Sequence, residues 1–228
     1  MPAAIAISTP REAPVPRRAS QAATPPDSMA ALDHVGAVIT LRRDEALFLA
    51  GDKADFYFKI LKGAVRSCKL LDDGRRHIGD FYLAGDFIGL DAGETYSAAA
   101  EAVTETALIR YARRKVDALA AEQPRVAQSL IEIMRLRLIA ARERMVLLGH
   151  MTAMERIASF LLGLANRASE GRVSLPMTRT DIGDYLGLTM ETVSRALSQL
   201  RNSGIVVQRS MHELVLVDRN ALLALIRC

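Results

Sequence analysis

Residues 178–204, TRTDIGDYLGLTMETVSRALSQLRNSG, have the pattern of two short helices joined by a tight turn. Thr178 is followed three residues later by Asp181, a spacing that is typical of the start of a helix. Ile182 and Leu186 then lie one turn apart on the same face, and Gly187 interrupts the helix. The first helix is therefore predicted to span about two turns.

The second helix is predicted to begin after Thr189, whose side chain can cap it. Its apolar positions Val193, Leu197 and Leu200 follow at spacings of four and three residues, which places them on one buried face. The helix ends at Asn202-Ser203-Gly204. The opposite face carries the polar residues Glu191, Thr192, Ser194, Arg195 and Gln199.

Two helices with a short glycine turn, the second with a polar face, are typical of a helix-turn-helix that docks in the major groove of DNA. An Arg side chain can donate two hydrogen bonds to guanine O6 and N7, and a Glu side chain can accept one from cytosine N4. The composition of this stretch is equally compatible with an ordinary helical hairpin that has a solvated face.

The segment DIGDYLGLTMETVSRALSQL, residues 181–200, resembles the DNA-binding motif of the CRP/FNR superfamily of bacterial transcription regulators. Glu191-x-x-Ser194-Arg195 matches the recognition triad of the FNR branch, whereas CRP itself has Gly in place of Ser194. The sequence is most similar to the FixK-like members, which regulate genes of low-oxygen respiration and nitrogen fixation. The resemblance extends from about residue 38 to the carboxyl end.

This resemblance implies a homodimeric transcription regulator, mainly an activator, that binds double-stranded promoter DNA and works with RNA polymerase. The expected DNA site is a palindrome close to TTGAT-N4-ATCAA. Arg195 would read the guanine of each TTGA half-site, Glu191 a C or A edge on the complementary strand, and Ser194 the outer thymine region. The expected contacts to the DNA backbone are Thr178, Arg179, Thr180, Thr189 and Thr192.

The chain has 228 residues, half of them apolar, which is enough for one large domain or two modest ones. It contains no run of 18 apolar residues and no secretory signal pattern, which predicts a cytoplasmic protein without a membrane partner. Cys68 and Cys228 alone cannot form a disulfide framework or a multi-thiolate metal site. The net charge of +4 and the sequence pI near 9.3 suit an anionic partner without deciding its identity.

Residues 1–28 hold six of the eight prolines together with Ala, Ser, Thr and Arg, and they are predicted to form a disordered tail. Oxygen-sensing FNR proteins would be expected to carry a cysteine cluster here that binds an iron–sulfur cluster. Because this tail has no cysteine, an iron–sulfur cofactor is not expected.

Residues 29–122 are predicted to form a β-roll, because short apolar segments alternate with turn residues about every 8 to 12 positions. The glycines predicted to form turns with positive φ are Gly51, Gly63, Gly74, Gly85 and Gly89. This region resembles the cyclic-nucleotide-binding fold of the superfamily through the motifs Glu45-x-x-Phe48-x-x-Gly51-Asp52 and Gly85-Asp86-Phe87-Ile88-Gly89.

Cyclic-nucleotide binders of this fold place an Arg-Ser or Arg-Thr pair after the second motif, where the Arg binds the cyclic phosphate. This chain has Tyr96-Ser97 there, and Tyr cannot neutralise a phosphate, so cAMP binding is not expected. No other cofactor is predicted. Its histidines lack a metal-binding spacing, and Cys68 with His77 is a weak candidate pair for haem or a metal. The alternative is a regulator of the same superfamily that is gated by cAMP, haem or a gas.

Residues 123–149 are predicted to form a long dimerisation helix. Its apolar residues alternate spacings of four and three for three heptads, which is the pattern of a coiled-coil seam. Leu130, Ile133, Val146 and Leu147 add apolar positions that predict packing on the helix's own subunit as well. The residues of the predicted seam are Ala127, Ile131, Met134, Leu138, Ala141, Met145 and Leu148.

Residues 150–228 are predicted to form a winged helix-turn-helix domain. Thr152 and Glu155 have the spacing of a capping box, residues 205–208 and 213–217 predict the hairpin of the wing, and Asp218 can cap a last helix over residues 220–227. The predicted fold class is therefore α+β, with a cyclic-nucleotide-binding-like β-roll, a dimerisation helix and a winged helix-turn-helix. No Gly-rich phosphate loop, nucleophile elbow or metal-ligand spacing indicates an enzyme.

Overall fold

The structure, a computed structural model, describes residue 32 and residues 35–91, 93–167 and 172–226. The predicted disordered tail, residues 1–28, lies outside these residues. In the described part, strands come first, a long helix follows, and helices with a small sheet end the chain, as the α+β prediction requires. None of the described helices has a stretch long and apolar enough to span a bilayer.

The β-roll is built from β1 (Gly36–Leu41), β2 (Ala46–Phe48), β3 (Phe56–Lys62), β4 (Ala64–Leu70), β5 (Arg76–Leu83), β6 (Phe87–Ile88), β7 (Ala99–Ala102) and β8 (Thr106–Ala112). These strands form two four-stranded antiparallel sheets, in the orders β1-β8-β3-β6 and β2-β7-β4-β5. Apolar side chains from both sheets meet inside the roll, among them Phe58, Ile60 and Val65, which are at most 3% exposed.

The five glycines predicted to form turns in the roll all have positive φ, between 81° and 91°. Gly63 is the most constrained of them. A Cβ atom at this position would lie 2.5 Å from Thr106 Oγ1 and 2.6 Å from the carbonyl oxygen of Glu105. Both the backbone conformation and the close approach therefore require glycine where the chain crosses from one sheet to the other.

Two helices follow the roll, α1 (Arg113–Glu122) and α2 (Pro124–His150). The break between them follows from Pro124, which restricts the preceding Gln123 to an extended conformation, here φ −122° and ψ 99°. α2 is about 40 Å long, and each of its ends lies within one residue of the predicted dimerisation helix. Its inner face buries Val126, Ser129 and Ile133.

The carboxyl-terminal part consists of α3 (Ala153–Ala165), β9 (Arg172–Ser174), α4 (Arg179–Leu186), α5 (Met190–Asn202), β10 (Val206–Ser210), β11 (Glu213–Leu216) and α6 (Arg219–Ala224). The predicted wing is present as β10 and β11, and Asp218 Oδ1 caps α6 by accepting from Ala221 N at 2.8 Å. β9 was not predicted. It adds a third strand beside β11, but three residues are too few to show an alternating pattern.

The β-roll and the carboxyl-terminal helices share one apolar core. Ile78 and Phe81, which face outward from β5, belong to the same cluster of buried side chains as Ile157 in α3 and Leu186 in α4. The domain division at residues 122–123 and 149–150 stays a prediction, because this shared core joins the parts on either side.

Candidate nucleic-acid interface

The first helix of the predicted motif, α4, begins with a complete capping box. Thr178 Oγ1 accepts a hydrogen bond from Asp181 N at 3.1 Å, and Asp181 Oδ2 accepts one from Thr178 N at 3.0 Å. Gly187 ends the helix with a left-handed φ of 65°, which favours glycine. Gly183 permits a tight turn between the helices, because a Cβ there would lie 2.6 Å from the carbonyl oxygen of Leu188.

The second helix, α5, has one buried and one exposed face. Its cap is Thr189, whose Oγ1 accepts a hydrogen bond from Thr192 N at 3.2 Å. Glu191 and Arg195 are exposed about one turn apart, with Ser194 half-buried beside them. Within the part of the chain that the structure describes, neither Glu191 nor Arg195 is in an ion pair with another residue. The buried face consists of Val193, Ala196, Leu197 and Leu200.

The residues predicted to contact the DNA backbone lie at the amino ends of α4 and α5. Thr180 is exposed and Arg179 is half-buried. The Thr178 hydroxyl instead donates to the carboxylate of its own capping box at 2.8 Å, so its proton is already used. The hydroxyls of Thr189 and Thr192 are 3.0 Å apart and hydrogen bond to each other. All five contacts stay predictions, and Arg179 and Thr180 have the most accessible donors for a phosphate.

Further basic side chains lie beside α5. Arg201, at its carboxyl end, lines one groove together with Arg179 and Gln208 of the wing. Arg209 is exposed on the wing strand β10. Neither Arg201 nor Arg209 is predicted from the sequence, since isolated arginines on a surface give no pattern. Several positive side chains around an exposed helix suit a surface that faces a phosphate backbone.

Comparison with known proteins agrees with this geometry. Residues 155–225 match the Crp-like helix-turn-helix domain, and residues 38–123 match the cyclic nucleotide-binding domain. The nitrogen fixation regulation protein FixK of Azorhizobium caulinodans is 40% identical over 210 residues, which cover 90% of this chain and 84% of that protein. The chain belongs to the CRP/FNR family.

Other CRP/FNR proteins give the same assignment. The transcriptional activator protein FnrL of Cereibacter sphaeroides is 32% identical over 216 residues, which cover 91% of this chain and 87% of that protein. The solved structure of FixK2 from Bradyrhizobium japonicum is 44% identical with a TM-score of 0.80, and the match covers 84% of this chain and 97% of that one. The protein is therefore a FixK-like transcription activator of the CRP/FNR family with a DNA-binding helix-turn-helix.

In the β-roll of this CRP/FNR protein, Tyr96 is 5% exposed and packs into the interior. Its ring stacks on Phe48 with the ring centroids 3.6 Å apart, and its hydroxyl donates to the carbonyl oxygen of Phe56 at 2.6 Å. Burial raises the pKa of Tyr96, so the phenol is neutral. A neutral, packed side chain thus stands where the family resemblance places the phosphate-binding Arg.

The weak candidate pair Cys68 and His77 is not brought together by the fold. Cys68 pairs with Ile78 across the two strands, and His77 pairs with Lys69, so the two side chains point to opposite faces of the sheet. Burial raises the pKa of the Cys68 thiol to about 11. The thiol is therefore protonated near neutral pH, whereas a metal ligand has to be a thiolate.

The predicted seam of α2 lies at the surface of the single subunit. Ile133 is 8% exposed and packs on the β-roll, as predicted for the inner face. The placement of Val146 on that inner face was wrong, because it is 57% exposed, and its neighbour Leu147 instead packs against the core shared by the β-roll and the carboxyl-terminal helices. Ala127 and Leu148 are half-buried. The exposed members of the seam are Ile131, Met134, Leu138, Ala141 and Met145.

Two arginines of the β-roll contact the helix-turn-helix, and neither contact is predicted from the sequence. Arg66 of β4 and Arg76 of β5 both form ion pairs with Asp181 of α4. Arg66 stands between Ala64 and Cys68 on the strand face that packs against the DNA-binding domain. A charged residue at a buried strand position was the available signal, but it does not identify the distant partner.

Proposed function

We propose that this activator binds, as a homodimer, a palindromic promoter site of the TTGAT-N4-ATCAA type without cAMP or an iron–sulfur cluster. The exposed face of α5 carries the proposal, because it presents Glu191, Ser194 and Arg195 side by side. Arg195 donates two hydrogen bonds to the guanine of TTGA, and Glu191 accepts from a base on the complementary strand. Ser194 faces the outer thymine region.

The exposed stripe of α2 supports the homodimer. Leu138 and Met145 are 52% and 74% exposed in a helix whose opposite face, with Val126 and Ile133, is packed on its own subunit. Pairing two such stripes along a two-fold axis removes this apolar surface from water. To bind a palindrome, a dimer with this axis needs its two copies of α5 about 34 Å apart, one turn of DNA, so that each meets one half-site.

The names of the relatives support a cellular role. Relatives are named as nitrogen fixation regulation proteins, which supports control of nitrogen-fixation or low-oxygen respiration genes. As an activator, the DNA-bound dimer works with RNA polymerase at the promoter. Its site of action is the cytoplasm, where the promoter DNA lies.

The packing of Tyr96 supports activity without a cyclic nucleotide. The Tyr96 and Phe48 rings fill space inside the roll, and neither carries a charge that could bind the cyclic phosphate. The absence of cysteine from residues 1–28 argues against a cluster held by the amino-terminal segment. Ligand gating by cAMP, haem or a gas is the competing function.

Binding assays on purified, ligand-free protein test the proposal. The TTGAT-N4-ATCAA duplex should bind at least about 10³-fold more tightly than a scrambled duplex at physiological salt. Adding cAMP or haem should leave both dissociation constants unchanged. Palindrome binding that appears only with one of these ligands would establish the gated alternative, and equal binding to both duplexes would refute sequence-specific recognition.

A further inference from the structure

The helix that precedes the recognition helix, α4, contacts the outer face of the β-roll through a partly buried cluster of charges. Asp181 near its amino end is 1% exposed. Its Oδ1 accepts a hydrogen bond from Arg76 Nη2 at 2.6 Å and another from Arg66 Nη1 at 3.4 Å. Arg76 Nε also donates to Asp184 Oδ2 at 2.9 Å. Two arginines of the roll therefore hold two carboxylates of one short helix.

Arg66 is itself fixed by its own domain. Its Nη2 donates to Asp44 Oδ1 at 3.0 Å, and its Nε and Nη2 donate to Glu101 Oε2 at 3.0 and 2.8 Å. Only 9% of the side chain is exposed. Turning this guanidinium toward solvent would break three ion pairs at once, one of them with the buried carboxylate of Asp181. Arg66 is thus a rigid attachment point and not one half of a flexible surface pair.

Asp181 joins this attachment to the start of α4. One carboxylate oxygen, Oδ2, accepts from the N–H and the hydroxyl of Thr178 in the capping box. The other oxygen, Oδ1, accepts from the two arginines. The carboxylate that begins the helix is therefore the carboxylate that holds it against the roll. Removing a partner from such a buried pair costs much more than breaking an exposed salt bridge.

A third arginine, Arg144, connects α4 to the helix that carries the predicted seam. Its guanidinium donates to the carbonyl oxygens of Gly79 and of Ile78, the latter at 2.8 Å, on the edge strand β5. The same guanidinium lies 3.9 Å from the ring centroid of Tyr185 in α4, a cation–π contact. α4 is therefore held by the β-roll and by α2 together.

The recognition helix follows α4 as part of the same packed unit. The turn between them is too tight for a side chain at Gly183, and Ile182 of α4 shares a core with Val193 and Leu197 of α5. Close-packed protein interiors do not let one helix slide past the other. Fixing α4 on the roll and on α2 thus fixes α5 as well.

We propose that Arg66, Arg76 and Arg144 are positioning residues that hold α5 at a set place relative to α2, and so decide which half-site spacing the dimer accepts. The inference rests on the proposed function, since spacing matters only to a dimer on a palindrome. One added base pair moves the second half-site by about 3.4 Å and rotates it by about 35°. A rigid arrangement favours one spacing strongly, whereas a loosened one loses that advantage and discriminates less between spacings.

Spacing preference provides the test. The test compares three proteins: the wild type, Arg76→Gln and the charge-conserving control Arg76→Lys. Each protein is titrated with duplexes whose half-sites are separated by three, four or five base pairs, and with a duplex that holds a single half-site. Arg76→Gln should weaken binding to the four-base-pair duplex about tenfold. Its affinity for the single half-site and the other spacings should change less than about twofold, since these complexes do not use the fixed arrangement. Arg76→Lys should restore most of the preference.

Two results would overturn the inference. Arg76→Gln with the full spacing preference of the wild type would show that Arg76 does not position α5. An equal loss of affinity for the single half-site and for the four-base-pair duplex would show that Arg76→Gln damages the base-contacting face of α5 itself. A wild-type protein that binds the palindrome no better than scrambled DNA refutes the proposed function instead, and a separate distance measurement then decides the inference.

That measurement uses one spin label on each subunit of the full chain. Asn202→Cys at the exposed end of α5 is labelled in a Cys228→Ser background, while the native Cys68 is buried. Pulsed electron paramagnetic resonance then measures the distance between the labels on the two copies of α5 in the absence of DNA. The distribution should be narrow in the wild type, broader in Arg76→Gln and narrow again in Arg76→Lys. Equal widths in all three proteins would overturn the positioning role.

Discussion

Replacing Arg195 with Ala should remove base reading and leave the fold intact. Arg195 is exposed on the face of α5 opposite to Val193 and Leu197, and it makes no ion pair within the described residues. Ala is at least as favourable as Arg inside a helix. The free energy of unfolding should therefore change by less than about 0.5 kcal/mol, as for other exposed sites without a structural role.

The loss in DNA binding should be much larger than the loss in stability. A bidentate contact from Arg to guanine contributes roughly 1–3 kcal/mol of discrimination, and a dimer on a palindrome loses this contact in both half-sites. Binding of the dimer should therefore weaken by about 2–6 kcal/mol, or roughly 30-fold to 10⁴-fold. The preference for guanine at that position of TTGA should relax at the same time, because the side chain that reads it is gone.

Arg179→Ala provides the matched comparison at a predicted phosphate-binding side chain. Phosphate contacts carry no base information, so specific and scrambled DNA should be weakened alike. The slope of log affinity against log salt concentration should become shallower by about one for each phosphate that the variant no longer neutralises. Arg195→Ala should leave this slope close to the wild-type value.

Fluorescence anisotropy with a TTGA palindrome and a scrambled duplex, at two salt concentrations, separates the two roles. The deciding quantity is the ratio of the two affinities. Arg195→Ala should collapse the ratio, and Arg179→Ala should preserve it. If Arg195→Ala keeps the ratio while Arg179→Ala abolishes it, the base-reading and phosphate-binding roles have been assigned to the wrong arginines.

Three further predictions test other parts of the structure. Leu138→Glu puts a charge into the predicted seam on both subunits and should give monomers in sedimentation velocity at micromolar concentration. The control Leu49→Glu, at a site of similar exposure outside the seam, should stay dimeric, and a monomeric wild type that binds the palindrome tightly would contradict the seam. Cys68, with its pKa raised by burial to about 11, should be alkylated far more slowly in the folded than in the unfolded protein near pH 8, and equal rates would rule out its burial. Burial raises the pKa of Asp181, but hydrogen bonds from Thr178 and the nearby arginines outweigh burial, so the pKa in the folded protein lies below its usual value of 3.8. The ionised carboxylate therefore stabilises the fold above pH 3.8, and its contribution is lost as the pH falls through the folded pKa. The stability deficit of Asp181→Asn should shrink in acid, and a constant deficit between about pH 7 and pH 3 would contradict this role.

Local patterns in the sequence were sufficient for the two helices of the motif and for the turns of the roll, whereas the resemblance to the CRP/FNR superfamily distinguished a helix-turn-helix from an ordinary hairpin. The caps Thr178 and Thr189 act on groups three residues away, and the buried positions of α5 repeat within single turns. Gly63 and the other turn glycines are decided by the backbone conformation at one residue. Each of these features involves neighbours in the chain, so their spacing is visible without the fold.

Contacts between distant segments were decided by the tertiary structure alone. The pattern of α2 showed two apolar faces, but which residues meet the subunit's own core depends on where β5 and α3 lie, and Val146 was therefore misplaced. Arg66 and Asp181 are 115 residues apart, and nothing in the sequence around either residue indicates that it contacts the other. Amino-acid periodicity records which side of an element avoids water, whereas a partner across the molecule depends on how the elements are brought together in space.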